Sequence, residues 1–279
     1  MINYHPDPKI NALLNLLDDE NENVAVDAIA ELLFRENELG DAPAHVQEHG
    51  NALARKRIHQ LQAALTLRRR RRRFSELLAA REIDLIDGLI EVHLQWFDND
   101  SKPALEEIWR NFAEDAARFQ PANFEQLSYF MRKRGMVAVA ESTIQPENYC
   151  IGTIIENNTG AASVLTGLAW ALADAAGAKF RIVRMMGEFA LLNDDGMLLL
   201  PRRDWEMMMG ARIQDYDFWE PRTLLKFAST MLFSHAVNSD SFRYVQTIAQ
   251  ALAGLPDGEL PRTFPYPYYP APDEEEHHE

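Results

Sequence analysis

Apolar and polar positions follow a helical period over most of this chain and a strand period over one short stretch. Residues 10–34, INALLNLLDDENENVAVDAIAELLF, carry two apolar stripes at helical spacing. Leu13, Leu14, Leu16 and Leu17 form the first, and Val24, Ala28, Ile29, Leu32 and Leu33 the second. Asp18, Asp19, Glu20 and Asn21 make a polar turn between them. Its acids favour the start of the next helix, because a helix N-terminus carries partial positive charge. The pattern fits a HEAT-type helical pair or an ordinary helical hairpin. A short helix near residues 43–49 and a long one over about 51–80 form a possible second pair, but two degenerate units do not establish a repeat.

Residues 84–97, DLIDGLIEVHLQWF, predict a helix with Leu85, Leu89, Val92 and Trp96 on one side. His93 is a lone histidine there and reads as structural. A helix over 101–119 has Ser101 as its N-cap and Pro103 in its first turn. Leu105, Ile108, Trp109, Phe112, Ala116 and Phe119 form its apolar face. Another helix follows Asn123 and stops at Gly135.

The period then changes. A short helix over 148–156 leads into the polar loop Asn157, Asn158, Thr159 and Gly160. Residues 161–176, AASVLTGLAWALADAA, are almost wholly apolar and end at Gly177, which predicts a buried central helix. Strands are expected over 180–185, 188–193 and 197–200, with Asp194, Asp195 and Gly196 as a hairpin turn. Helices over 221–237 and 241–253 follow, then a tail rich in proline, tyrosine and acid over 255–279. The expected class is α+β and mostly helical. Its parts are a helical arm (1–80), a core with a helical lead-in (81–210), C-terminal helices (211–254) and the tail.

Composition adds limits. With 279 residues, 47% hydrophobic and 25% charged, the chain is ordinary globular material with enough length for a sizeable core. A net charge of −15 disfavours nucleic acid and anionic membranes as partners. Six consecutive arginines, Arg68, Arg69, Arg70, Arg71, Arg72 and Arg73, oppose that trend. Six positions cover every face of a helix, so the run needs acidic partners wherever it is buried. It reads as an exposed segment pairing with the chain's own carboxylates, or as a contact for an acidic partner or RNA. No aromatic residue interleaves with it, which weakens a single-strand stacking platform.

No apolar run approaches the ~18 residues needed to span a bilayer, and the start, MINYHPDPKI, has no secretory-signal pattern. The single cysteine, Cys150, excludes an internal disulfide and a multi-cysteine zinc site. His277 and His278 read as solvated, so neither metal nor cofactor is expected. These features predict a cytoplasmic protein.

One constellation carries chemistry. A loop ending in glycine, a buried helix and an antiparallel hairpin form the layout of papain-like and transglutaminase-like cores. There a cysteine begins the helix, a histidine on the next strand takes its proton, and an aspartate on the following strand orients the histidine. The relevant segments here are Asn148, Tyr149, Cys150 and Ile151; the loop to Gly160; the helix to Gly177; Met186, Gly187, Glu188 and Phe189; the turn at Gly196; and Leu200 with Pro201. In this layout the chain resembles the SirB-type branch of the transglutaminase-like superfamily, bacterial proteins named for an invasion-gene up-regulator. The helices from about Asp84 fit that family's helical lead-in, and some relatives carry HEAT-like helices in front.

The resemblance implies a nucleophile at Ala162, a base at Glu188 and an orienting acid at Leu200. None of the three has the family's reacting group, although that branch itself often lacks the cysteine. Substitutes would be Ser163 or Cys150 with His235 or His93. Glu188 reads as an edge-of-pocket carboxylate paired with Arg184, Arg202 or Arg203. Met185, Met186, Met197 and Met207 to Met209 read as core filler or as an adaptable binding surface. Three functions follow: a non-catalytic protein that binds a protein or peptide, a hydrolase or acyltransferase with a relocated site, and an acidic-partner or RNA binder using the arginines.

Overall fold

The computed structural model describes residues 7–40, 42–210, 216–239 and 241–254. The predicted tail, with His277 and His278, lies outside the described residues. Among those described, the chain is mostly helical, with eleven α-helices and a small antiparallel sheet. It divides into two compact units, Met1–Arg70 and Arg71–Glu279.

The first unit opens with α1 (Pro8–Asn15) and α2 (Glu22–Phe34). Asp7 caps α1 by accepting from Lys9 N, and Asn21 caps α2 by accepting from Asn23 N. Next come α3 (Ala42–His49) and the long α4 (Ala52–Ala79). Ile10, Leu14, Leu17, Ala28, Leu32, Ile58 and Leu61 share the core. The apolar stripe of α1 is therefore rotated from the expected one, and Leu16 is turned outward. Arg57 is buried, and its Nη1 donates to Leu17 O at 3.0 Å, closing the end of the first helical segment.

The division falls inside α4, upstream of the boundary near residue 80 drawn from the sequence. Core membership gives the reason: Ile58, Leu61 and Leu65 belong to the first core, whereas Phe74 and Leu78 belong to the second.

In the second unit, α5 (Leu85–Trp96) is capped by Asp84, which accepts from Ile86 N and Asp87 N. Ser101 holds the N-cap position of α6 (Lys102–Ala117) but makes no capping bond. Asn123 caps α7 (Phe124–Arg134), and Gly135 ends it at φ 77°. A short parallel pair joins β1 (Val137–Ala138) to β2 (Thr159–Gly160).

The helix expected over 148–156 is broken in two. A 3-10 turn, Pro146–Tyr149, precedes α8 (Ile151–Asn157), and Cys150 between them is extended. An unbroken helix would bond Gly152 N to Asn148 O. Here Asn148 O accepts from Ala161 N at 2.7 Å, and Gly152 N donates to His93 Nδ1 at 3.3 Å. Two tertiary bonds thus replace one helical bond.

The central helix is α9 (Ala162–Ala175), buried along one side and much of its length, with Asp174 and Ala175 exposed at its end. It covers a five-stranded antiparallel sheet of β3 (Arg181–Met185), β4 (Glu188–Leu192), β5 (Met197–Leu200), β6 (Glu206–Met209) and β7 (Asp217–Trp219), ordered β6-β5-β4-β3-β7. The two edge strands, β6 and β7, were not expected. Side chains alternate between the sheet faces. Ile182, Phe189, Leu191 and Leu199 join α9 in the main core, while Val183, Ala190, Leu192, Leu198 and Leu200 form a smaller core with Tyr216 on the other face.

Trp205, fully buried, locks the end of the hairpin: its Nε1 donates to Met136 O at 2.7 Å, and its carbonyl accepts from Ser128 Oγ at 2.7 Å. Then α10 (Pro221–Asn238) and α11 (Phe242–Ala253) complete the described fold. No helix among the described residues is long and apolar enough to cross a membrane.

Candidate functional site

The 3-10 turn Pro201–Arg203 lies against α9, β1 and β4, so the elements carrying Ala162, Glu188 and Leu200 meet at one end of the core. Two of the three side chains are aliphatic, and the third is a carboxylate held in an ion pair. Ala162 opens α9 and offers a methyl group. Glu188 opens β4, and its Oε2 lies 3.4 Å from Arg203 Nη2. Leu200 is buried in the smaller core, on the sheet face turned away from α9. Strand alternation puts Glu188 on that same face, with Ala190 and Leu192.

Of the three arginines expected near Glu188, Arg203 pairs with it. Arg202 pairs instead with Glu141 at 3.1 Å. Arg184 projects to the helix side, where its guanidinium lies 5.5 Å from the Phe189 ring and 5.9 Å from the Trp219 and Phe227 rings. A weakly hydrated planar cation suits such aromatic surroundings.

The substitute nucleophiles are held in unreactive settings. Cys150 is fully buried, and its Sγ lies 3.5 Å from Pro146 O. Burial pushes its thiol well up, and the carboxylates of Glu147 and Asp100 add to the effect. A thiolate is the reactive species, so this environment keeps the sulfur as an inert thiol. Ser163 is buried in the first turn of α9. No histidine hydrogen-bonds to Ser163 or Cys150 among the described residues.

Both ring nitrogens of His93 are committed. Nε2 lies 2.8 Å from Asp100 Oδ2, and Nδ1 accepts the Gly152 N–H. A backbone donor at Nδ1 requires that nitrogen to be unprotonated, which puts the proton on Nε2, facing the carboxylate. Burial lowers the imidazole pKa, and Asp100 offsets only part of that. His235 is half-buried on α10, and its ring stands 6.2 Å from that of Tyr149. Burial, with help from Glu141, raises the Tyr149 phenol to about 12, so it stays neutral.

The arginine run is occupied within the chain. Arg68 Nη1 donates to Leu33 O at 2.8 Å, and Arg69 pairs with Glu36 at 2.9 Å. Arg71 bonds Gln250, and Arg73 pairs with Glu91 at 2.8 Å and Asp87 at 3.4 Å. Arg70 and Arg72 have partners as well. The methionines divide: Met186, Met207 and Met209 are exposed, Met185 and Met208 pack on the smaller core, and Met197 packs on the main one.

Sequence reasoning missed Asp100 as the partner of His93. It also missed the ion cluster in which buried Glu91 bonds both Arg73 and Lys102. Its signal was a pair of acids one helical turn apart, Asp87 and Glu91, in an otherwise largely apolar helix. Among the described residues, no group of three or more His, Cys, Asp or Glu side chains is placed to hold a metal ion. No family model, curated protein or solved structure matches the chain.

Proposed function

We propose that this chain is a non-catalytic binding protein for a protein or peptide, built on a transglutaminase-like core behind a HEAT-like arm. The observation that carries the reading is the state of the groups that would have to react. Cys150 is a buried thiol with a raised pKa, and His93 has both nitrogens engaged. Nucleophilic catalysis needs a nucleophile within hydrogen-bond reach of a base that has a free lone pair. Ala162 and Leu200 carry neither a nucleophile nor a base, and Glu188 is paired with Arg203 at 3.4 Å, with no hydroxyl or thiol bonded to it among the described residues.

The test is chemical labelling of the folded chain with iodoacetamide and with a fluorophosphonate, read by mass spectrometry. Cys150 is expected to resist alkylation until the chain is denatured, and Ser163 to remain unmodified. Stoichiometric labelling of either residue in the folded state, abolished by His93→Gln or His235→Gln, would overturn the proposal.

A further inference from the structure

A cleft of about 630 Å³ lies between the start of α5, the middle of α6 and the end of α9. It is an open cleft, and its size falls within the ~300–1,000 Å³ typical of small-molecule sites. Two half-buried indoles, Trp109 from α6 and Trp170 from α9, form part of its lining. Trp170 is pinned by its Nε1, which donates to Phe180 O at 3.0 Å. Ile83 and Ile86 add apolar surface.

The polar lining is one-sided. Arg73 and Asp87 reach the cleft, but they belong to a balanced cluster in which Arg73 and Lys102 neutralise Asp87 and Glu91. Three further carboxylates line it: Asp84, Glu106 and Asp174. None of them pairs with a basic side chain among the described residues. Asp84 spends Oδ1 on capping α5, and Glu106 and Asp174 are solvent-exposed.

Indole rings and unpaired carboxylates around one concavity select for positive charge on an apolar stem. The rings attract cations and cover methylenes, and the carboxylates bind ammonium groups. A single cation would leave most of the acid charge unanswered, and a bare metal ion would gain nothing from the indoles. We propose that this cleft binds a linear aliphatic polyamine. The site is separate from the core end that carries Ala162 and Glu188, and it stands whether or not that end is catalytic.

Titration of the whole chain with spermidine at low salt, by calorimetry and by NMR of the indole N–H groups, tests it. Saturable binding is expected, with shifts at Trp109 and Trp170 and none at Trp96, Trp205 or Trp219. Glu106→Gln combined with Asp174→Asn should weaken binding about tenfold, as loss of two exposed charge contacts would, while Glu114→Gln outside the cleft should change it by less than about twofold. Magnesium at equal ionic strength should not shift the two indoles. The proposal fails if spermidine does not saturate, or if the double variant binds it as well as the parent. It also fails if an acetylated lysine-rich peptide occupies the cleft and spermidine does not.

Discussion

His93 Nε2 lies 2.8 Å from Asp100 Oδ2, across the turn that joins α5 to α6. The pair ties a fully packed helix to a half-exposed carboxylate, and the opposite ring nitrogen ties it to the start of α8 through Gly152 N. Protonation of Nδ1 would set an N–H against an N–H and lose that bond. Together with burial, this makes the folded chain hold the neutral ring, with a pKa below the ordinary 6.5. The unfolded chain then binds the proton first as pH falls. Stability from this group is therefore complete above about pH 6.5 and is lost on acidification until the lowered folded-state pKa is passed. Urea midpoints measured from pH 8 to pH 5 should fall in the parent, and His93→Gln should remove that part of the fall. An unchanged slope in the variant would show that the ring does not titrate this way.

Gly152 is required by the same contact. A Cβ at this position would stand 2.7 Å from Leu105 Cδ2 and 2.9 Å from His93 Cε1. The leucine tip can move, but the imidazole is held at both nitrogens. Gly152→Ala should cost about 1–3 kcal/mol, the usual scale of overpacking. Chemical denaturation checks the cost, and a loss below about 0.5 kcal/mol would mean the ring yields easily.

This junction also marks where the sequence stops being informative. The α5, α6 and α7 helices and the β4–β5 hairpin were legible because their apolar periods and caps are local. The break at Cys150 was not, because it is set by bonds from Gly152 to His93 and from Ala161 to Asn148, which join residues distant in the chain. Asp100 escaped notice because helical spacing relates residues on one helix, and this pair spans a turn. The edge strands β6 and β7 are short and largely exposed, so they have no buried alternation to reveal them. At the candidate site, the missing groups at Ala162, Glu188 and Leu200 were legible as residue types. The partner chosen by Glu188, and the sheet face it shares with Leu200, required the strand register.

Glu91 has 2% of its side chain exposed and is bonded by Arg73 at 2.8 Å and Lys102 at 2.9 Å. Burial pulls the Lys102 ammonium down, but its bonds to Asp87 and Glu91 outweigh this and leave its pKa raised. Arg73 is half-exposed, so solvent weakens its share. Lys102→Met should therefore leave the buried carboxylate under-compensated and cost about 1–3 kcal/mol. Adding Glu91→Leu should return part of that loss, because the charge left stranded is then gone. A double-mutant cycle by urea denaturation measures the coupling, and strictly additive losses would count against a shared cluster.

The β3–β4 hairpin turns on Met186 and Gly187, both left-handed, at φ 48° and 86°. Two consecutive positive φ values match the twist of a hairpin, and asparagine followed by glycine is the preferred pair for them. Methionine at the first position carries a left-handed penalty of about 1 kcal/mol, with 97% of its surface exposed and little packing to offset it. Met186→Asn should therefore stabilise the chain by about 0.5–1 kcal/mol. Gly187→Ala should destabilise it by a similar amount although nothing stands within 4 Å of the added carbon, because the cost lies in the backbone alone. Thermal melts of the two variants should move in opposite directions from the parent. A lower melting temperature for Met186→Asn would show that the exposed methionine contributes stability through contacts that its exposure does not suggest.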